Sequence, residues 1–267
     1  MTIDARELLP LAEQAVSIAR EFLTELPRTV TAKGDRDMVT EVDYAIEQAV
    51  RDFLAGETPE IGFLGEEEGI TGNRNGLMWA LDPIDGTANF THGIPLFAIS
   101  LGLIDNNRAI LGVIDLPFLG SLYSAADGAG ATCDGKPIHT SATDTLNAAI
   151  VSIGDYAVGP NAEHKNRLRI PLNHQLATRV QRVRMYGSAA IDLAWVAQGK
   201  SDACIMLSNN PWDTAAGITI AREAGAHILG IDGTPHSMTA TATIATTPKI
   251  ATELLAMINQ TRTELGA

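Results

Sequence analysis

The sequence is short of cysteine, of aromatic rings and of positive charge. Only Cys133 and Cys204 occur in 267 residues. Two cysteines are too few for a disulfide framework and sit in no zinc-like spacing, so two small buried thiols in a reducing compartment are expected. Lys and Arg number 19 against 32 Asp and Glu, a formal net charge of −13. Without a cationic face to neutralise phosphate backbones, nucleic acid is not the expected partner. No apolar run approaches a bilayer span, and Met1-Thr2-Ile3-Asp4-Ala5-Arg6 leads into an amphipathic pattern, not the apolar stretch of a signal peptide. A cytoplasmic protein with no membrane partner is expected. In that setting Asn89-Phe90-Thr91 and Asn259-Gln260-Thr261 are chance matches to the glycosylation pattern. Internal repeats, charge blocks and Pro/Ser-rich linkers are missing too.

What is present is core material. Hydrophobic residues make up 45% of the chain, enough for one large domain or two intimate halves at about 100–200 residues per domain. Leu8, Leu11, Ala15, Ile18 and Phe22 recur at three-and-four spacing and predict a first helix that packs on this stripe, opened by Asp4 with Glu7 and ended by Pro27. A second helix is predicted from Thr40, with Ile46, Val50 and Phe53 inward and Gly56 and Pro59 closing it. Strand-like runs follow at 61–64, 77–81, 96–104, 109–116 and 121–125, separated by short turns that imply antiparallel pairing. After about residue 146 the rhythm becomes strand (149–153), helix (163–177), strand (180–184), helix (188–198), strand (203–207), helix (214–224) and strand (226–229), with a last helix at 248–260. The fold class this implies is a layered α/β sandwich of α+β type. Residues 1–145 form an antiparallel α+β half and 146–267 an α/β half, packed as one compact unit.

The chemistry concentrates in Trp79-Ala80-Leu81-Asp82-Pro83-Ile84-Asp85-Gly86-Thr87-Ala88-Asn89-Phe90. A hydrophobic strand delivers Asp82 at its end, and a tight turn through Pro83 returns Asp85 to the same place. Two carboxylates about 4 Å apart repel by roughly 4 kcal/mol at an effective dielectric near 20, so such a pair implies a cation between them or a shared proton. Gly86 and Thr87 then offer free N–H groups which, if they open a helix, point at an anion. An Asp-Pro or Asp-Gly surface turn explains either dipeptide alone, but not both at a strand end. Glu66, in Gly65-Glu66-Glu67-Glu68-Gly69, also follows a strand, although an acidic triplet by itself is more often a solvated loop. Asp213, in Pro211-Trp212-Asp213-Thr214-Ala215-Ala216-Gly217, precedes a small-residue helix and by itself reads as an N-cap. Oxygen ligands without His or Cys clusters select Mg²⁺ or Mn²⁺ over zinc.

These strings together resemble the inositol monophosphatase family of Mg²⁺-dependent, Li⁺-sensitive phosphomonoesterases. The resemblance rests on 65–67, 82–90 and 212–217, supported by Asp37-Met38-Val39-Thr40-Glu41-Val42-Asp43 and Gly187-Ser188-Ala189-Ala190-Ile191-Asp192-Leu193, and it spans nearly the whole chain. It implies Glu66, Asp82 and the Ile84 carbonyl as ligands of a first, water-activating Mg²⁺ and Asp82, Asp85 and Asp213 as ligands of a second. A weaker third ion would be held through Glu66. The resemblance further implies phosphate on the Gly86 and Thr87 amides, and a Thr87 hydroxyl, oriented by Asp43, that helps position or deprotonate the attacking water. Lys33 resembles a lysine near the family's site but stands one residue closer to Asp37. The expected partner is a small phosphomonoester, and the resemblance implies a homodimer.

Two divalent ions roughly 3.5–4 Å apart supply the positive charge that a doubly negative phosphate lacks on so acidic a protein, and a loose transition state leaves catalysis to positioning and electrostatics. None of the six histidines has a motif around it, and His92 reads as a partly exposed loop residue. Inositol-hydrolysing members carry an acid seven residues before the Trp-Asp aspartate, where this chain has Met206. Losing that acceptor removes about 1.5–3 kcal/mol of hydrogen bonding to a polyol hydroxyl. Asp85, Ser188, Ala189, Asn209 and Asn210 remain to bind hydroxyls. The reading is therefore inositol 1-phosphate hydrolysis, with histidinol phosphate as the main competitor and fructose 1,6-bisphosphate and 3′-phosphoadenosine 5′-phosphate behind it. Haloacid-dehalogenase-like phosphatases carry Asp-x-Asp-Gly-Thr, whereas two residues separate the aspartates here. A non-catalytic metal scaffold would have no need of Thr87 or Asp43.

Overall fold

The computed structural model describes residues 4–23, 30–34, 37–74 and 76–266. Helix α1 (Ala5–Arg20) opens on Asp4, whose side chain accepts from the Arg6 amide. Pro27, expected to end it, lies outside the described residues. Its core face differs from the expected stripe. Ala5, Ala12, Ala15, Val16 and Ala19 are buried, Leu8 and Leu11 are only half-buried, and Phe22 is 40% exposed. Small side chains let α1 lie close on the sheet, so the longer residues flank the contact instead of making it. The hairpin β1 (Val30–Gly34) and β2 (Asp37–Thr40) leads into α2 (Glu41–Glu57). Thr40 and Asp43 form a reciprocal capping box at its start. Ile46, Val50 and Leu54 face inward, Phe53 is half-buried, and the helix runs past Gly56.

The first sheet is built from β3 (Gly62–Gly65), β4 (Gly69–Thr71), β5 (Leu77–Asp85), β6 (Ala98–Asp105), β7 (Arg108–Leu116), β8 (Ser121–Ala126), β9 (Gly130–Cys133) and β10 (Lys136–Pro137), with the short helix α3 (Thr87–Thr91) between β5 and β6. Strand order is β10-β9-β8-β7-β6-β5-β3-β4, antiparallel throughout except for the parallel β3–β5 pair. The second sheet holds β11 (Ile150–Ile153), β12 (Arg182–Arg184), β13 (Ala203–Met206), β14 (His227–Leu229) and β15 (Thr243–Thr246), in the order β12-β11-β13-β15-β14. It is threaded by α4 (Ala162–Arg179), α5 (Ala189–Ala197), α6 (Pro211–Glu223) and α7 (Ala251–Glu264). Strand β15 was not legible beforehand, because its Thr-Ile-Ala-Thr run is short and sits among further threonines.

Side chains alternate across the first sheet with period two. Trp79, Leu81, Ile99, Leu101, Leu103, Leu111 and Val113 form one core with α1 and α2, whereas Ala80, Ala98 and Ile114 join α5 and α6 on the other face. The second sheet places Val151, Ile205 and Ile244 against α4 and α7, and Cys204 and Ala245 against α5. The layers therefore run helix, sheet, helix, sheet, helix. Both cysteines are free and buried, as expected. Helix α6 lies directly on the sheet because Gly102 and Gly112 leave room for it: a Cβ on Gly112 would sit 2.2 Å from the Ala216 carbonyl oxygen. Among the described residues no helix is long and apolar enough to cross a membrane.

Candidate active site

Asp82 and Asp85 lie three residues apart on β5, a spacing that would send them to opposite faces of a regular strand. The pairing with β6 breaks between them: Asp82 opposes Ser100 and Asp85 opposes Ala98, so Pro83 and Ile84 face Ile99 alone. The extra residue of this bulge restores parity and turns both carboxylates to one side. Pro83 has no N–H to lose from the ladder, and Ile84 anchors the bulge in the core. The Ile84 amide donates to Asp82 Oδ1 at 3.0 Å, and the Ile84 carbonyl accepts from the Thr87 hydroxyl at 3.1 Å. The expected tight turn is thus a bulged continuation of the strand.

Three donors from the start of α5 fix Asp85: the Ser188 hydroxyl, the Ala189 amide at 3.2 Å and the Ala190 amide at 2.7 Å. Asp213 is not an N-cap. Asn210 caps α6, Pro211 occupies the first turn, and the Asn210 side chain donates to Asp213 Oδ2 at 3.1 Å. The Ser100 hydroxyl, across the ladder from Asp82, donates to the Trp212 carbonyl at 3.4 Å and so ties the Asp213 turn to β6. Glu66 follows β3 directly, its amide bonded to the Leu81 carbonyl at 3.2 Å.

One residue that holds this loop escaped the sequence reading. Glu47, fully buried on α2, accepts from the Glu67 amide at 2.8 Å and the Glu68 amide at 2.9 Å, and pairs with Arg51. Arg51 stacks on Phe63, 4.6 Å from its centroid. Gly65 is required beside this clamp, since a Cβ there would meet the Glu47 carboxyl at 2.1 Å. Mid-helix Glu ordinarily reads as a solvated face; its i, i+4 spacing to Arg51 beside apolar Val50 and Leu54 was the only available signal.

The electrostatics of the cluster are uniform in sign. Burial, compounded by the charges of Glu66, Asp85 and Asp213, holds Asp82 well above the usual carboxylate range. Burial raises Asp85 to about 6 despite its three donors. Asp213 is pushed to about 8 by burial and by the charges of Asp85 and Glu66. Asp43 rises to about 6 through burial, against its bonds from Thr40 and with Glu66 adding to the rise. Among the described residues none of Asp82, Asp85 and Asp213 has a Lys, Arg or His ion-pair partner. The donors are all hard oxygens, which suits Mg²⁺. Among the described residues, no three His, Cys, Asp or Glu side chains already stand in a chelating arrangement.

The other expected residues divide. Gly86, with φ +97°, caps α3, whose first-turn amides have no intrahelical acceptor. The Thr87 hydroxyl donates to Ile84, not to Asp43, whose carboxylate is engaged by the Thr40 amide and hydroxyl at 2.9 and 2.5 Å. Ser188 and Ala189 line a cavity of about 150 Å³ together with Asp213, Met206, Ser208 and Arg169. Asn209 turns away from it, donating to the Ala240 carbonyl at 3.0 Å and meeting His236, while Asn210 serves Asp213. His92 is exposed, its ring 2.8 Å from the Ala88 carbonyl. Lys33 lies on β1, its side chain outside the described residues.

Comparison with known proteins gives the family. Residues 4–264 match the inositol monophosphatase family. The inositol-1-monophosphatase ImpA of Mycolicibacterium smegmatis is 35% identical, covering 86% of this chain and 83% of that protein. A fructose-1,6-bisphosphatase/inositol-1-monophosphatase of Thermotoga maritima is 32% identical, covering 87% of each. Among solved structures, inositol monophosphatase from Anabaena superposes with a TM-score of 0.84 at 32% identity over 96% of both chains.

Proposed function

The chain belongs to the inositol monophosphatase family of phosphomonoester hydrolases, and from that premise we propose that it hydrolyses a small phosphomonoester with water activated at the carboxylate cluster. The observation that carries this reading is the set of mutually repelling carboxylates, the buried Asp82 and Asp85 with the half-buried Asp213, left without a protein cation among the described residues. In this reading Glu66, Asp82, the Ile84 carbonyl, Asp85 and Asp213 hold two Mg²⁺ ions, with a third ion loosely attached through Glu66. Bound there, such ions supply Lewis acidity and hydroxide near neutral pH.

The chain's own residues do the rest. Ser188 and the Ala189 and Ala190 amides fix Asp85, leaving it one orientation. The Gly86 and Thr87 amides receive the phosphoryl oxygens, as helix N-termini do. The Thr87 hydroxyl, held by the Ile84 carbonyl and not by Asp43, orients the attacking water. Ser188 and Ala189 present the leaving alcohol with the floor of the cavity. Attack by water, with no phosphorylated side chain, gives inversion at phosphorus.

For the substrate we propose inositol 1-phosphate, which the names of the M. smegmatis and Anabaena relatives support. Met206 offers a ring hydroxyl no acceptor, and that keeps histidinol phosphate and fructose 1,6-bisphosphate in the comparison. A homodimer and Li⁺ sensitivity accompany the reading. The test is phosphate release from inositol 1-phosphate and p-nitrophenyl phosphate with Mg²⁺ and with chelator. Turnover that needs Mg²⁺ supports the assignment; metal-independent turnover, or none with metal bound, refutes it.

A further inference from the structure

The cavity beside the carboxylates has one wall of opposite charge. Arg169 sits on α4 one turn before Leu172, a spacing that carries it inward with the helix's apolar contacts, and it is only 4% exposed. Its guanidinium has five N–H donors, and among the described residues it makes one hydrogen bond, from Nη2 to the Ser208 hydroxyl at 3.3 Å. No carboxylate among the described residues pairs with it, whereas Arg6, Arg20, Arg51, Arg108 and Arg222 each have such a partner. A buried, unpaired guanidinium is costly unless a ligand brings the counter-charge.

A second observation points the same way. Arg169 and Leu207 also border an adjoining groove lined by His164, Lys165 and Arg167, with no Asp or Glu along it. On a chain of net charge −13 this is a local reversal, and it shares Arg169 and Leu207 with the leaving-group cavity. Met206, on the same cavity wall, adds no negative charge. Asp155 at the rim is exposed to water, and burial pushes Asp192 below the floor up to about 7.

We propose that Arg169 binds a second anionic group on the leaving alcohol, so that a small phosphomonoester carrying a further carboxylate or phosphate is hydrolysed faster than its counterpart lacking that charge, a preference separate from the choice of inositol 1-phosphate among uncharged alcohols. This rests on the phosphatase reading above. Matched pairs test it. 3-Phosphoglycerate and glycerol 3-phosphate differ by a carboxylate in place of a hydroxymethyl group; fructose 1,6-bisphosphate and fructose 1-phosphate differ by one phosphate. The expected result is a kcat/KM at least about tenfold higher for the anionic member of one or both pairs, the value of one charge-assisted hydrogen bond. The ratio should collapse toward one in Arg169→Gln and be partly kept in Arg169→Lys. A preference confined to one pair assigns the group as carboxylate or phosphate. No preference in the wild type, or a ratio unchanged in Arg169→Gln, overturns the proposal. If Arg169→Gln fails to fold by circular dichroism, the wild-type ratios decide alone. If no phosphomonoester is hydrolysed, the phosphatase reading fails separately, and calorimetric titration of 3-phosphoglycerate against glycerol 3-phosphate then decides, equal affinity being the overturning result.

Discussion

Replacing Glu47 isolates how the Glu66 loop is held. Glu47→Ala leaves the amides of Glu67 and Glu68 without their acceptor and strips the Arg51 guanidinium, 9% exposed, of its nearer counter-ion, leaving it the half-exposed Glu68 carboxylate at 3.8 Å. Each orphaned amide costs about 1–3 kcal/mol, and breaking a buried ion pair from one side costs about 3–5 kcal/mol. These terms share atoms and do not add, so the expected loss is about 4 kcal/mol. Glu47→Gln keeps the shape and one carbonyl acceptor and should lose about 2 kcal/mol. In urea, with a slope near 3 kcal/mol/M, the midpoints should fall by roughly 1.3 M and 0.7 M. The Mg²⁺ concentration for half-maximal activity should rise about tenfold in Glu47→Gln, as when the support behind a metal ligand is removed, while kcat at saturating Mg²⁺ changes less. If both variants shift the midpoint by under about 0.2 M and leave the Mg²⁺ requirement alone, the clamp does not position Glu66.

Three further outcomes are expected. Asp213→Asn should lower kcat for p-nitrophenyl phosphate by about a hundredfold or more with an unchanged circular dichroism spectrum, because an amide fits the half-buried site but is a poor Mg²⁺ ligand; near-wild-type turnover counts against its role. Burial raises Asp192 to about 7, a nearby Ser152 hydroxyl pulling slightly the other way, and neither Ser152 Oγ nor Asp192 Oδ1 has a hydrogen-bond partner at normal geometry. An acid with a raised folded pKa contributes stability that is complete below its unfolded value near 3.8 and is lost as pH rises through the folded value near 7. Asp192→Asn, which mimics the protonated form, should therefore match the wild type near pH 4 and exceed it by about 2–4 kcal/mol above pH 7; a constant difference across that range in urea titrations would contradict the assignment. Gly112→Ala should lower the melting temperature by about 5 °C or more, since the added carbon meets Ala216 backbone at 2.2 Å.

Much of the site was legible because its acids sit where hydrophobic runs stop. The ends of β3 and β5 could be found from pattern alone, and Asp82, Asp85, Glu66 and Asp213 do interact in space. What failed was finer. The spacing of Leu and Phe points to one side of α1, whereas close helix–sheet approach selects the smaller Ala residues beside it. Pattern alone puts Asp213 at the N-cap, whereas Asn210-Pro211 starts the helix one turn earlier. Asn209 is expected at the substrate, but its side-chain amide donates to the Ala240 carbonyl instead. Glu47 and Arg169 are charged residues on helices, which a one-dimensional pattern assigns to solvent; only the folded chain shows that both are inside.

The Asp85 carboxylate joins two layers of the molecule. It grows from β5 of the first sheet, and among the described residues the donors from other elements that steady it come from the start of α5, the helix between the sheets. Whatever tightens or loosens that carboxylate also tightens or loosens the contact between the first sheet and α5. Occupancy of the pocket and mechanical cohesion of the molecule are then one equilibrium seen from two sides, and a chain loaded with ions should melt as a single body at a temperature that climbs with their concentration.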